Sequence, residues 1–501
     1  MDNNDSVALS RYQYWVLLFA LIAVIAPFWT VIVPAATDLP QHLSQLYLFQ
    51  HTLAGERPDL MVTPWYYPNT LIYWVLYGAW LIFDPITTGK LAMSGMAAAW
   101  VVASWGLMKV YRRSFMGWLI GVPLVFNFLF SWGFLNFLIG WPVFCLFIIA
   151  ARRPASFRRN VALMLAALLL YYAHALWFAM ATIWLGVLML ELNNKERWSL
   201  GWPLLPVWLM ALIWYPQLAV DRAQSYNTGV LWIKMPHERF DTEYVVNAML
   251  GSIQGKIEGY ICLILGLWLL ASLLTNRKRL SEETDKPLFI AGLIMGWAFW
   301  IFPDMYMNTI FFGQRWLPFG VALLLLAVPT PHLPHWLSVK MPARASHYAI
   351  LAGVGLVLTL SVVTIKQLQE WQSEALDGFL SAIGMLHKSE RVIGMNLYDG
   401  SAYVKGRPGL QLFSYAEAMH GSVPQFEFTQ HYSGVVQFRG HPQLKSYPLY
   451  APLRTTYEQV KDFDKILVNG DETMHVYVRK RWHLVQIGDA QSNWRVYRNA
   501  P

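Results

Sequence analysis

The chain has 501 residues, 56% of them hydrophobic and only 14% charged, with 25 Trp and a formal charge of +8. So much apolar surface exceeds what a water-soluble core can hide, which points to a multi-span membrane protein. The basic residues fall in short clusters at the ends of apolar runs, a topology signal that argues against nucleic-acid binding, and Cys145 and Cys262 sit within apolar runs, which leaves neither a disulfide framework nor a Cys-based zinc site.

The first apolar run, 14–36, lacks a small-residue cleavage site and ends in a Pro-Ala-Ala-Thr-Asp turn, so it is expected to remain as a span with its N-terminus in the cytoplasm. Asp38 follows directly, where a helix leaves the hydrocarbon and a charge is first solvated. Pro40 restricts Leu39 to an extended backbone. Beyond it, Leu39, Leu43, Leu46 and Leu48 interleave with Gln41, His42, Ser44 and Gln45, a pattern suited to a short helix lying on the membrane. Asp38 is either the cap of that helix or a carboxylate held at a kink.

Residues 70–83 are too few for an ordinary span and read as an interfacial or re-entrant helix. Spans are expected at 91–108, 115–130 and 134–151. The run 161–192 is too long for one span and splits near Tyr171-Tyr-Ala-His174 into two short helices. Further spans follow at 202–220, 260–274, 289–302, 310–328 and 348–365. The clusters at Lys109, Arg112 and Arg113, at Arg152, Arg153, Arg158 and Arg159, at Lys195 and Arg197, at Arg277, Lys278 and Arg279, and at Lys340 and Arg344 then all face the cytoplasm. The expected fold is mainly α, a polytopic membrane helical bundle of about eleven spans occupying 1–366.

After Lys366 hydropathy drops and charges mix. Residues 370–386 have helical spacing, and 391–397, 434–438, 465–468, 475–478, 482–487 and 494–497 read as strands. These define a small C-terminal α/β extracytoplasmic domain, 367–501, of roughly 130 residues. It contains no nucleotide fingerprint, P-loop or internal repeat.

Polar groups in a bilayer are informative because each costs about 2.5 to 3.5 kcal/mol at a helix centre. On this topology Asp38, His42, Asn136, His174, Asp304 and Arg315 all lie on the outer side. Each has a plain structural alternative. Asn127 and Asn136 flank the Ser131-Trp-Gly133 turn and suit interhelical hydrogen bonding. His174 suits a cap at a helix break, Asp304 a turn or cap, and the helix-end Trp residues interfacial anchors. Trp65, Tyr66, Tyr67 and Trp232 suit either sugar stacking or anchoring. Arg315 follows Gly313-Gln314 with no carboxylate four residues away, and a lipid phosphate would match both its charge and its fork of donors.

A first span followed at once by Asp, a Leu-rich short helix, paired short helices, a late outer-side Arg and an extracytoplasmic C-terminal domain together resemble the GT-C class of integral membrane glycosyltransferases. More closely, Thr-Asp-Leu-Pro-Gln-His-Leu, Phe-Ser-Trp-Gly-Phe-Leu-Asn-Phe-Leu-Ile-Gly, Tyr-Tyr-Ala-His-Ala-Leu and Gln-Arg-Trp-Leu-Pro-Phe are similar to a group of uncharacterised bacterial membrane proteins with that layout. The resemblance covers roughly residues 10–366. It implies transfer of a sugar from a polyprenyl-phosphate donor to a lipid or glycan acceptor, by a monomer in the bacterial cytoplasmic membrane. Asp38 would be the general base. Arg315 would hold the leaving phosphate in one outer-side cavity with Asp38, and His42, Asn136, His174 and Gln314 would contact substrate. Many members carry a second acid beside the first, whereas here Leu39 and Pro40 follow Asp38; no cofactor is expected, and metal dependence stays open. The rival class is a non-catalytic lipid-linked glycan binding protein, flippase or assembly factor, which Arg315 would serve equally. An ion-coupled carrier fits poorly, since no Asp or Glu stands in the middle of a span and no twofold repeat of spans occurs.

Overall fold

The computed structural model describes residues 3–223, 229–277, 279–307, 309–331, 345–398, 400–431, 434–440, 447–488 and 491–500. Lys278, Lys340 and Arg344, used above to set the topology, lie outside the described residues. Among the described residues, six helices are long and apolar enough to cross a membrane: Tyr12–Trp29, Pro85–Val110, Phe115–Trp132, Asn194–Leu218, Ile257–Thr275 and His347–Ala375. Shorter apolar helices accompany them at Leu71–Trp80, Leu135–Ala151, Ala175–Met189, Lys286–Ile301 and Gln314–Ala327. The long apolar run does break at His174, which is extended (φ −167°, ψ 130°) between the helices Phe157–Ala173 and Ala175–Met189.

Two expected segments differ. The span at 348–365 and the start of the expected helix at 370–386 form one 31-residue helix, Ala345–Ala375, because the stretch between them, Lys366-Gln-Leu-Gln-Glu, is made of strong helix formers, while Phe379–Ile383 forms a separate short helix. It ends before Gly378, whose φ of +74° suits a glycine. The second is 475–478, which is helical rather than a strand and lies within Glu472–Trp482. Asp471 caps that helix, accepting from the Met474 amide at 2.8 Å, and His475, Val478 and Trp482 are buried at helical spacing. The alternating Val residues there mimic a strand.

The chain divides into two compact units. One comprises residues 1–27, 94–128 and 136–365; the other comprises 28–93, 129–135 and 366–501. The first is helical, with Trp100, Trp141, Trp177 and Phe319 packed ring to ring in its interior and a small antiparallel sheet of Val230–Leu231, Met305–Tyr306 and Thr309–Ile310.

The second unit is built on a five-stranded sheet: β1 (Arg391–Asn396), β2 (Val423–Pro424), β3 (Lys465–Asn469), β4 (Leu484–Ile487) and β5 (Trp494–Asn499), in the order β2-β1-β3-β5-β4. β1 runs parallel to β2 and β3, and β5 is antiparallel to β3 and β4. Ile393, Met395, Ile466, Val468 and Tyr497 bury one side of it with Val478 and Trp482 of the helix Glu472–Trp482. Strand Val436–Phe438 leaves this sheet and pairs antiparallel with Leu60–Val62.

The helix Leu39–Leu53 belongs to this second unit and does not present its polar side to solvent: Gln41, His42, Ser44 and Gln45 are all buried. The Gln41 amide donates to Ser414 Oγ (2.6 Å) and to the Phe426 carbonyl (3.0 Å), Gln45 Oε1 accepts from the Val436 amide (3.1 Å), and Ser44 donates to Glu417. The amphipathic pattern that suggested a membrane surface is satisfied by protein donors and acceptors.

Candidate functional site

Two sequence motifs meet at Asp38. The Thr37 amide donates to the Ser131 carbonyl (3.0 Å) and the Asp38 amide to that of Trp132 (2.9 Å), so the Ser131-Trp-Gly133 turn clamps the chain just before the helix Leu39–Leu53 begins. Gly133 makes the close approach possible. Its φ is +72°, and a Cβ there would lie 2.9 Å from the Leu39 nitrogen and 3.2 Å from that of Asp38. Pro40 fits the first helical turn, where its missing N–H has no helical acceptor to lose, and Leu39 before it is helical rather than extended.

Asp38 occupies the N-cap position but makes no side-chain capping bond. Its carboxylate meets the positive end of the helix dipole, and Oδ1 accepts instead from Gln411 Nε2 at 2.8 Å. His42, one turn along, is 3% exposed; its Nδ1 pairs with the Tyr73 hydroxyl at 2.9 Å. Burial drives its pKa down to about 3, against a smaller opposing pull from a backbone hydrogen bond with Gly133, so the ring is a neutral bridge between three chain segments.

Asn136, His174, Gln314 and Arg315 belong to the other unit. Phe137, which sequence reasoning passed over, gathers three of their neighbourhoods: its ring packs edge-on to His174 (5.2 Å), against Trp316 (5.1 Å) and under the Arg315 guanidinium (5.3 Å). Asn136 precedes it on the short helix Leu135–Leu138. Arg315 is buried and donates from Nε and Nη2 to the Ile310 carbonyl at 3.0 and 2.9 Å, which fixes the plane of its fork. His174 caps the break it creates, Nδ1 accepting from the Leu176 amide at 3.2 Å.

Asp304 is more than a turn residue. It is 1% exposed and receives the Ile233 and Lys234 amides (2.9 and 3.3 Å), Arg239 Nη2 (3.0 Å), Gln314 Nε2 (2.9 Å) and the Tyr244 hydroxyl. Gln314 also donates to Tyr244 at 2.7 Å. Burial first, then the hydrogen bond to Asp304, pushes the Tyr244 phenol well above its ordinary pKa, so it remains a donor. The network thus ties down the residue next to Arg315. An acid at a turn was visible in the sequence; its burial and its five donors, spread from Ile233 to Gln314, were not.

Among the described residues no group of three or more His, Cys, Asp or Glu is arranged to hold a metal ion.

No protein-family profile matches the chain, and no curated protein matches it in sequence. A solved structure does match in fold: the crystal structure of ArnT from Cupriavidus metallidurans bound to undecaprenyl phosphate, with a TM-score of 0.54 at 11% identity over 97% of this chain and 98% of that one. The chain therefore has an ArnT-like, GT-C-like fold over nearly its whole length, and with its six span-length apolar helices it is a multi-pass membrane protein.

Proposed function

We propose that this protein is a membrane glycosyltransferase that moves a sugar from a polyprenyl-phosphate-linked donor to an acceptor on the outer side of the bacterial cytoplasmic membrane. The observation that carries this reading is the full-length fold correspondence with ArnT, whose structure holds undecaprenyl phosphate. In the reaction the acceptor hydroxyl oxygen bonds to the anomeric carbon as the bond from that carbon to the lipid phosphate breaks, inverting the carbon. Asp38 takes the hydroxyl proton as general base, steadied by Gln411. Arg315 balances the charge on the departing polyprenyl phosphate, its fork held by the Ile310 carbonyl.

His42 and His174 are engaged with Tyr73 and with the Leu176 amide, which suits them to positioning rather than proton transfer, Asn136 contributes an amide, and Gln314 holds Arg315 in place through Asp304. The topology that goes with this reading has about eleven spans, a cytoplasmic N-terminus and residues 367–501 outside.

The test is transfer by purified protein in nanodiscs, given a labelled undecaprenyl-phosphate sugar and envelope lipids and glycans as acceptors. Asp38→Asn should abolish release of undecaprenyl phosphate while leaving its binding nearly intact, and Arg315→Ala should weaken that binding. Full turnover by Asp38→Asn overturns the mechanism. A C-terminal reporter active only in the cytoplasm overturns the topology.

A further inference from the structure

The five-stranded sheet carries a crevice that the reaction above does not use. β1 connects to β2 on one side and then, through the rest of the chain, to β3 on the other, so the direction of winding reverses between the parallel neighbours β1 and β3. Open α/β sheets bind ligands outside the carboxyl ends of strands at such a reversal. The strands end there in two amides placed opposite each other in register, Asn396 and Asn469. A cavity of about 290 Å³ opens at this point, near the lower end of the roughly 300 to 1,000 Å³ of small-molecule sites and enough for one sugar ring rather than an oligosaccharide.

The crevice is a built site. Asn469 is 1% exposed; its Nδ2 donates to Asn396 Oδ1 at 3.2 Å, while its own Oδ1 has no hydrogen-bond partner among the described residues. A buried acceptor left in that state is destabilising by itself and is suited to a ligand hydroxyl. Gly409 leaves room for this pair, since a Cβ would come 2.4 Å from Asn396 Nδ2.

Among the described lining residues Arg407 and Arg454 outnumber the single acid, Glu374. Arg407 donates to the Tyr450 carbonyl (3.2 Å) and lies over its ring (5.4 Å), giving an aromatic surface with a cation beside it. The lining segment continues from Leu410 directly into Gln411, the partner of Asp38, and the negative charge of Asp38 adds to burial in raising the Tyr450 phenol.

We propose that this crevice binds an acidic monosaccharide unit of the acceptor, its hydroxyls on the Asn396–Asn469 pair and its phosphate or carboxylate on Arg407 and Arg454, next to Asp38. Its role as acceptor site rests on the reading of Asp38 as general base; the binding itself does not.

The experiment uses full-length protein in nanodiscs and saturation-transfer NMR with three probes: glucose 6-phosphate, glucuronate and glucose. At least one anionic sugar should bind, with glucose about tenfold weaker, the scale of one charge-assisted contact. The stronger of the two anions identifies the acidic group. Arg454→Gln, at an exposed position, should remove the preference for the anion and leave glucose unchanged; Asn469→Ala should weaken all three probes. Absence of binding by every probe, equal binding of glucose and the anions, or binding indifferent to Arg454→Gln overturns the proposal. Asp38→Asn serves to separate the two readings. Probe binding in the wild type together with full transfer by Asp38→Asn sinks the base assignment and keeps the crevice, whereas no probe binding with transfer abolished sinks the crevice alone.

Discussion

Gln411 Nε2 lies 2.8 Å from Asp38 Oδ1, joining residues 373 positions apart. Gln411 is 4% exposed and its Oε1 has no hydrogen-bond partner among the described residues, so its orientation is set largely by the carboxylate it serves. A hydrogen bond to a charged group contributes about 1.5 to 3 kcal/mol. Gln411→Leu should therefore lower kcat by roughly ten- to a hundredfold with little change in binding of undecaprenyl phosphate. Gln411→Glu, which sets a second carboxylate against the first, should be more damaging. Unchanged kcat in both variants would show that Asp38 needs no orienting partner.

The clamp at Gly133 predicts a graded effect. Gly133→Ala places an L-residue at φ +72° and drives its Cβ to 2.9 Å from the Leu39 nitrogen, whereas Gly55 has a similar φ of +76° with nothing within 4 Å. The left-handed backbone alone costs about 1 to 2 kcal/mol. Gly55→Ala should show only that cost in thermal unfolding; Gly133→Ala should lose more stability and transfer activity besides. Equal behaviour of the two would remove the clamp from the mechanism.

Asp304 and Arg239 form an ion pair at 3.0 Å in which the two side chains are 1% and 0% exposed. Deleting one partner of such a pair costs about 3 to 5 kcal/mol because it strands the other charge. Asp304→Ala should lower the melting temperature sharply, and Asp304→Asn less so. If Gln314 positions Arg315 through this acid, Asp304→Asn should also weaken binding of undecaprenyl phosphate at temperatures where it remains folded.

Glu417 and Glu427 are buried carboxyls that share a hydrogen bond, and burial, reinforced for Glu417 by its neighbour's charge, raises both above the ordinary carboxylate range. Their raised folded pKa values mean that the folded state holds protons the unfolded state releases. The resulting stability is full below the ordinary carboxyl pKa and is lost as pH rises through the raised values. Glu417→Gln, a permanent mimic of the protonated form that can still accept from Ser44, should flatten this dependence and melt higher than the wild type at alkaline pH. A wild type whose melting temperature rises steadily from mildly acidic to alkaline pH would contradict the pairing.

His42 titrates far below neutrality, at about 3. The sign is the reverse of the carboxyl pair: the buried neutral ring contributes stability above the ordinary histidine pKa, and this is lost as pH falls toward the depressed value. Between about pH 5 and 8 the rate profile should carry no inflection belonging to His42, so His42→Gln should change the height of the profile and leave its shape alone. A limb near the ordinary histidine value that vanishes in His42→Gln would reassign the ring to proton transfer.

Much of the fold was readable from the sequence because bilayers impose long apolar runs: the break at His174 and most of the C-terminal strands fall where composition and periodicity put them. The helix Glu472–Trp482 was misread because alternating Val residues give a two-residue period as easily as a helical one. Asp38 stood out as a lone charge at a membrane exit. Gln411 and Asn469 did not, since a polar residue in a polar stretch carries no signal until the chain's distant parts are brought together. The Ser131-Trp-Gly133 turn could have been suspected as a partner of the Asp38 segment from its glycine, which only a close backbone approach or a left-handed conformation explains.

The burial of the helix Leu39–Leu53 bears on how the protein is made. Gln41, Ser44 and Gln45 find hydrogen-bond partners 373 to 391 residues later in the chain. At ribosomal speeds of about 5 to 20 residues per second, those partners emerge on the order of 20 to 80 seconds after the helix does. Through that interval its amides and hydroxyl need water or a chaperone in place of Ser414, Glu417 and Val436. A nascent chain cut short anywhere before these residues would therefore leave Gln41, Ser44 and Gln45 without their protein partners, a feature that cellular quality control can recognise at the N-terminal end of a defect located at the other.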